Sequence, residues 1–326
     1  MKLLVLGGTR FLGRHVVEQA LAAGHTVTLL HRGRSGSGLF AQAEHRIGDR
    51  NGDLSMLAEG RWDAVIDTSA YFPRQVRAVA QALAGRVGHY QLVSTVSVYR
   101  DIGQGQGPVD ESAPLANLDD PSTETVDGHT YGGLKVLCEQ AAEAGFGPRL
   151  MVSRPGLLVG PHDPTERFTW WVRRVRQGGR FVAPGPADAP LQFIDARDAA
   201  AWLLRQAATG ATGVANLTGP VEPLTMGGFV QALCSALAPA AQPVWFEPQR
   251  LLDAGVAPWM GLPLWIPGAD GRLHQADIAR AVALGLRCRP LAETLRDTAA
   301  WADVAPPPQA AATGLTAGQE AGLLGR

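Results

Sequence analysis

Short, nearly continuous apolar runs alternate with helix-periodic segments through the first half of the chain. Lys2–Leu6 reads as a buried strand, Phe11–Ala23 as a helix with apolar positions three and four apart, and Thr26–His31 as a second strand. The pattern recurs with strands at His45–Ile47, Trp62–Asp67 and His89–Ser94 and a helix from about Arg74 to Leu83. Between Tyr99 and Gly128 the chain is polar and rich in Gly, Pro and Asp, which predicts a loop. A helix from about Tyr131 to Ala144 and a strand at Arg149–Arg154 then resume the alternation. Strands alternating with helices predict an α/β fold of right-handed βαβ units, a doubly wound parallel sheet with helices on both faces.

Beyond Pro155, clusters of proline, glycine and tryptophan break up shorter elements, with helical patterns at Asp195–Ala207, Met226–Ala236 and Leu291–Trp301. Residues 1–155 are therefore expected to form mainly the sheet domain. Residues 156–305 are expected to form mainly a smaller C-terminal substrate-binding lobe with elements interleaved into the sheet domain. Residues 306–326, rich in Pro and Ala, are expected to be a flexible tail holding at most one short amphipathic helix.

Composition narrows the classes. Apolar residues at 46% and charged residues at 18% suit a packed core rather than extensive disorder. A net charge of −1 is too near neutral for a broad basic surface that grips nucleic acid or anionic lipid, so neither partner is expected. Cys138, Cys234 and Cys288 are scattered, without metal-ligand spacing, and fit a reducing compartment; no metal is expected. The opening run MKLLVLGG is too short for a signal peptide and reads as a strand entering a turn. No apolar run is long enough to span a membrane, so a cytoplasmic location is expected.

The first chemical signal is Gly7-Gly8-Thr9-Arg10-Phe11-Leu12-Gly13 between a strand and a helix. Glycines let backbone approach a dinucleotide pyrophosphate, and the helix N-terminus offers unpaired N–H groups and a positive dipole end. A Rossmann fold with Gly7, Thr9, Arg10, Phe11, Leu12 and Gly13 against the cofactor follows. Arg10, where many such loops have glycine, is either a tolerated surface arginine or a cation near the adenosine ribose. At the end of the second strand, about 20 residues on, an NAD site usually has a carboxylate. This chain has His31-Arg32-Gly33-Arg34. An arginine fork can pair with a 2′-phosphate, so Arg32, helped by Arg10 or Arg34, points to NADP(H), with NAD(H) the alternative. Solvated loop arginines are the other reading of the same residues.

The second signal is Tyr131-Gly132-Gly133-Leu134-Lys135, where Tyr and Lys four apart share a helix face. An ammonium close to a phenol is expected to draw the tyrosine's pKa down toward neutrality, making it an acid/base for a carbonyl or alcohol oxygen. Val93-Ser94-Thr95-Val96-Ser97-Val98-Tyr99 places hydroxyls at the sheet's carboxyl edge, where open α/β sheets bind ligands.

In this order, GGTRFLGRH, VSTVSVY and YGGLK resemble the extended short-chain dehydrogenase/reductases, the NAD-dependent epimerase/dehydratase family, in an atypical branch. RPGLLVGP, QFIDARDAA and the segment from Ala276 to Trp301 are similar to later family segments, so the resemblance covers nearly the whole chain. It implies Tyr131 as acid/base, Lys135 as the group that lowers its pKa and holds the nicotinamide ribose, and Thr95 as the hydroxyl partner. It also places Asp49 at the adenine amine, although a turn aspartate is the competing reading. Ser69 and Pro155 complete the cofactor-binding candidates.

The family contains epimerases, dehydratases and reductases. Val96 and Ser97 stand where dehydratases carry acidic residues, which disfavours dehydration. Leu191 and Gln192 stand where many nucleotide-sugar enzymes carry an arginine for the diphosphate. That weakens a nucleotide-sugar substrate unless Arg173, Arg174 or Arg176 compensates. Trp170 and Trp171 either line a pocket or pack the core, and Trp259 belongs to a candidate pocket wall. The expected activity is hydride transfer between NADP(H) and a carbonyl/alcohol of a small organic substrate. A cofactor-retaining sugar or nucleotide-sugar epimerase is the alternative, and a non-catalytic cofactor-sensing or RNA-binding relative is a further one. A homodimer is compatible with the resemblance.

Overall fold

Leu3, Leu4, Val5 and Leu6 are almost wholly withdrawn from water, as a strand covered on both faces requires. The computed structural model describes residues 1–36, 38–100, 102, 107–305 and 313–325. Its first half contains β1 (Lys2–Leu6), α1 (Phe11–Ala22), β2 (Thr26–His31), β3 (Glu44–Ile47) and β4 (Trp62–Asp67). These are followed by α2 (Pro73–Ala82), β5 (Val87–Val93), α3 (Tyr131–Phe146) and β6 (Leu150–Pro155). Then come β7 (Leu158–Val159), α4 (Arg167–Arg176), β8 (Arg180–Pro184), β9 (Ile194–Asp195), α5 (Ala196–Thr209) and β10 (Gly213–Leu217).

Seven strands form one parallel sheet in the order β10-β6-β5-β4-β1-β2-β3. Strand order reverses between β1 and β4, which opens a crevice beyond their carboxyl ends. The alternation of side chains along β1 feeds two cores. Leu3 and Val5 join Val16, Val17, Trp202 and Leu203 beneath α1 and α5, whereas Leu4 and Leu6 join Val76, Val79, Tyr90 and Phe146 beneath α2 and α3. β10, in the segment Gly213–Leu217, is a strand the periodicity did not reveal, because two small residues dilute its apolar signal.

A second lobe is built by α4, β8, α6 (Met226–Leu237), β11 (Gln242–Phe246) and α7 (Pro248–Asp253). After α8 (Ala279–Ala283), which packs on β10, α9 (Leu291–Val304) and α10 (Ala317–Leu324) close it. Its core holds Phe168, Trp171, Phe181, Phe229, Leu264 and Trp265. β9, α5 and β10 return from this lobe to the large sheet.

Where the sequence predicts a flexible tail, residues 306–312 and 326 lie outside the described residues, and 317–324 form a docked helix. Thr316 caps α10, Glu320 pairs with Arg174 at 2.6 Å and accepts from the Val182 N–H, and Leu315 and Leu324 enter the lobe core. This is the short helix the sequence allowed in the tail, and its stability comes from tertiary contacts. Among the described residues no helix is long and apolar enough to cross a membrane.

Candidate active site

The chain leaves β1 through Gly7, whose φ of 92° favours glycine. A Cβ on Gly7 would sit 2.8 Å from the Ser69 Cβ, and one on Gly13 would run into the Gly7 carbonyl. The loop and the start of α1 can therefore meet this closely only without side chains. Arg10 is the exposed N-cap in extended backbone; no side chain caps α1 and its first turn carries no acid. Phe11 takes the left-handed φ of 37°, Leu12 is buried, and Thr9 Oγ1 lies 3.1 Å from Ser35 Oγ. This backbone cradle, open at a helix N-terminus and free of negative charge, fits a dinucleotide pyrophosphate.

Arg32 and Arg34 follow β2 and are exposed. Both act on Asp49, whose carboxyl is held below its usual range first by the Asn51 backbone N–H and then by the Asn51 amide and the two arginines. Asp49 is thus the aspartate of a local turn and also a neighbour of the two arginines. Beneath them, Gly33 N–H donates to His31 Nδ1, His31 Nε2 meets His45 Nδ1 at 2.9 Å, and His45 Nε2 meets the Phe40 carbonyl at 3.1 Å. A one-way chain of this kind fixes both imidazoles neutral.

Ser69 flanks the glycine loop from β4. Its Oγ accepts from Arg50 Nη1 at 3.0 Å, and its N–H donates to Asp67 Oδ1 at 3.1 Å. Asp67, fully buried, receives both ends of the Arg50 fork at 2.6 and 2.8 Å and the Tyr90 hydroxyl at 2.7 Å. The Arg50 charge and hydrogen bonds hold the Asp67 carboxyl below its usual range against the opposing effect of burial. Sequence reasoning missed this network; its one available signal was a charged residue closing an apolar strand.

At the next edge position Thr95 lies two residues beyond the end of β5. Its Oγ1 accepts from the Ser97 N–H at 3.1 Å, beginning a turn at Val96–Val98. Helix α3 packs on that turn so closely that a Cβ on Gly132 would strike the Ser97 carbonyl. Glycine at 132 therefore brings Tyr131 to Thr95 and Lys135 under the sheet edge. Lys135 is buried, and its Nζ donates to the carbonyls of Ala70 at 2.8 Å and Val93 at 2.7 Å. Burial lowers its pKa.

One expectation is corrected. Tyr131 is not drawn toward neutrality; burial, then the neighbouring Tyr71, pushes it up to about 12, against the nearby Thr95 hydroxyl, which pulls it down. Lys135 is absent from the groups that act on it; its ammonium donates to two backbone carbonyls. Tyr71, overlooked in the sequence, is half exposed with its ring centroid 6.3 Å from that of Tyr131. Pro155 ends β6 opposite Leu217, two strands from β4.

Residues 3–99 match the model of the NAD dependent epimerase/dehydratase family. The match covers the first third of the chain and marks a resemblance to that family. No curated protein matches it in sequence. Among solved structures, it is similar in fold to a UDP-glucuronic acid 4-epimerase from Bacillus cereus in complex with NAD. That alignment has 18% identity and a TM-score of 0.69, over 96% of this chain and 100% of the other. A UDP-glucose 4-epimerase from Thermotoga maritima with UDP-glucose aligns at 18% identity and TM-score 0.67, over 93% and 99%. A dTDP-glucose 4,6-dehydratase from Bacillus anthracis in complex with NAD aligns at 14% and 0.66, over 93% and 96%.

Of the remaining candidates, Trp171 is core and Trp170 packs edge-on against it, their centroids 4.9 Å apart. Leu191 is buried, and Gln192 spends its amide on Ala276, accepting from its N–H at 2.9 Å and donating to its carbonyl at 3.0 Å. Arg173, Arg174 and Arg176, the proposed compensators, pair with Glu166, Glu320 and Asp303. None is free to serve a diphosphate.

Proposed function

We propose that this chain is an NAD(P)-dependent oxidoreductase acting on a carbonyl/alcohol pair of a small organic substrate. The observation that carries the reading is the convergence of Thr95, Tyr131 and Lys135 on the carboxyl edge beside the glycine-loop cradle. Gly7, Thr9, Phe11, Leu12, Gly13 and Ser69 would hold the pyrophosphate side of the cofactor, and Lys135 and Pro155 its nicotinamide side. When bound, the cofactor supplies or accepts the hydride. Tyr131, protonated at neutral pH, is set to donate a proton to an oxygen that gains charge as its carbon is reduced. Thr95 shares that charge through its hydroxyl.

Arg32 and Arg34 support NADP(H) over NAD(H), although two of the neighbours named above, the UDP-glucuronic acid 4-epimerase and the dTDP-glucose 4,6-dehydratase, were solved with NAD. Likeness to two 4-epimerases favours a second reading, a cofactor-retaining epimerase. Native mass spectrometry of the purified protein separates the two. An empty cleft that binds NADPH reversibly supports the reductase, tightly retained cofactor supports the epimerase, and failure to bind any nicotinamide dinucleotide overturns both.

A further inference from the structure

Helix α4 carries four arginines, and three are neutralised by Glu166, Glu320 and Asp303. Arg167, at its first position, differs. Its guanidinium lies over the Trp259 indole, 4.9 Å from the centroid, and its Nε is buried without a hydrogen-bond partner. No described residue forms an ion pair with its fork or accepts from it. Burial weakens its hold on its proton. Asp163 acts on it only through charge; its oxygens are engaged by the Thr165 N–H and hydroxyl at 2.8 to 3.0 Å, and burial lifts it to about 6.

The platform beneath Arg167 is built rather than incidental. Trp259 is held at a φ of 66°, its N–H donates to the Trp265 carbonyl at 3.0 Å, and its ring leans on His274 at 6.4 Å. His274 in turn bonds the backbone of Gln192, and Phe168 packs edge-on against Phe193 at 5.3 Å. Phe168 and His274, which flank the Arg167–Trp259 pair, thus reach residues 193 and 192. Trp265 Nε1 is a second buried donor in this loop without a partner. A partly buried guanidinium with no ion pair or hydrogen bond among the described residues is costly, and a planar fork held on an indole matches two oxygens of a carboxylate or phosphate.

We propose that Arg167, braced on Trp259, recognises an oxyanion carried by the organic substrate, a carboxylate or phosphoryl group, in the second lobe. This rests on the oxidoreductase reading for its word substrate, but not for its anion. Gluconate and glucose 6-phosphate, with uncharged glucose as reference, are titrated into the full chain by tryptophan fluorescence, alongside NADPH. At least one anion is expected to bind 10-fold or more tightly than glucose. Arg167→Gln should erase that advantage, and Arg167→Lys should restore only part of it, because an ammonium lacks the fork. NADPH affinity should stay within about twofold in both variants, which shows that they are folded.

Equal binding of anions and glucose, no binding of either anion, or an Arg167→Gln protein that keeps the preference overturns the proposal. An anion preference lost with Arg167 in a protein that binds no NADPH leaves the anion site standing and removes the oxidoreductase reading instead.

Discussion

Replacing Gly132 by alanine deletes no chemical group and probes whether helix α3 must lie where it does. Alanine is favoured over glycine inside a helix by about 1 kcal/mol, so on propensity alone the change stabilises. The new methyl would meet the Ser97 carbonyl well inside the 3.0 Å that side-chain carbons keep from their neighbours. Backbone on both sides leaves no flexible side chain to yield, so α3 or the Val96–Val98 turn must withdraw by roughly 1 Å, at a cost of about 1–3 kcal/mol. That shift loosens the Tyr131–Thr95 contact and the two Lys135 hydrogen bonds, and misplacement on this scale costs about 100-fold in rate.

The internal control is Gly318→Ala in α10, where a Cβ would meet nothing within 4 Å. Thermal denaturation should show Gly318→Ala stabilised by about 0.5–1 kcal/mol and Gly132→Ala destabilised despite the same propensity gain. NADPH titration should show weakened affinity for Gly132→Ala alone. If both variants gain stability equally and bind NADPH like the parent, α3 is not wedged against the turn and the argument for the site fails.

Four further outcomes are expected. Tyr131→Phe should slow NADPH oxidation by small aldehydes and ketones about 100-fold or more while leaving NADPH affinity within about twofold; wild-type turnover would remove Tyr131 from the proton transfer. Arg32→Asp should weaken NADPH binding more than NADH binding, and equal losses would mean that Arg32 does not meet the 2′-phosphate. Asp67→Asn leaves Arg50 buried without its counter-charge, so urea unfolding should report a loss of about 3–5 kcal/mol, and a change below about 1 would show that the pair is dispensable. Acid should destabilise the fold from about pH 6.5 downward, measured by urea midpoints between pH 7.5 and 5.

The sign of the last follows from burial. His31, His89 and His274 are held neutral by burial, which lowers their pKa, and His162 is lowered to about 4 by burial, then by Arg14 and His15. The unfolded chain takes up these protons first, near pH 6.5, so their contribution is complete above that pH and is lost as pH falls toward the folded values. Asp163, raised to about 6 by burial, acts in the opposite sense, but one proton does not offset four. Each net proton is worth about 1.4 kcal/mol per pH unit, and a flat pH dependence would contradict the neutral assignments.

The sequence by itself determined the sheet, because an apolar run bounded by a glycine turn records its burial locally, as Leu3–Leu6 and Val93 do. It also named the Gly7–Gly13 loop and the Tyr131/Lys135 pair, whose spacing is a property of one turn and one helix. Strand β10 and the docking of helix α10 escaped it, since Ala215 and Glu320 acquire their burial from partners far along the chain. Tertiary structure alone decided what the charged groups do. Lys135 was drawn to the Ala70 and Val93 carbonyls, Arg50 to Asp67, and three arginines of α4 to acids, while Arg167 was set on Trp259 without one. Hydrogen bonds and ion pairs depend on distances of a few ångströms between segments remote in the chain, and no local pattern of residues encodes those distances.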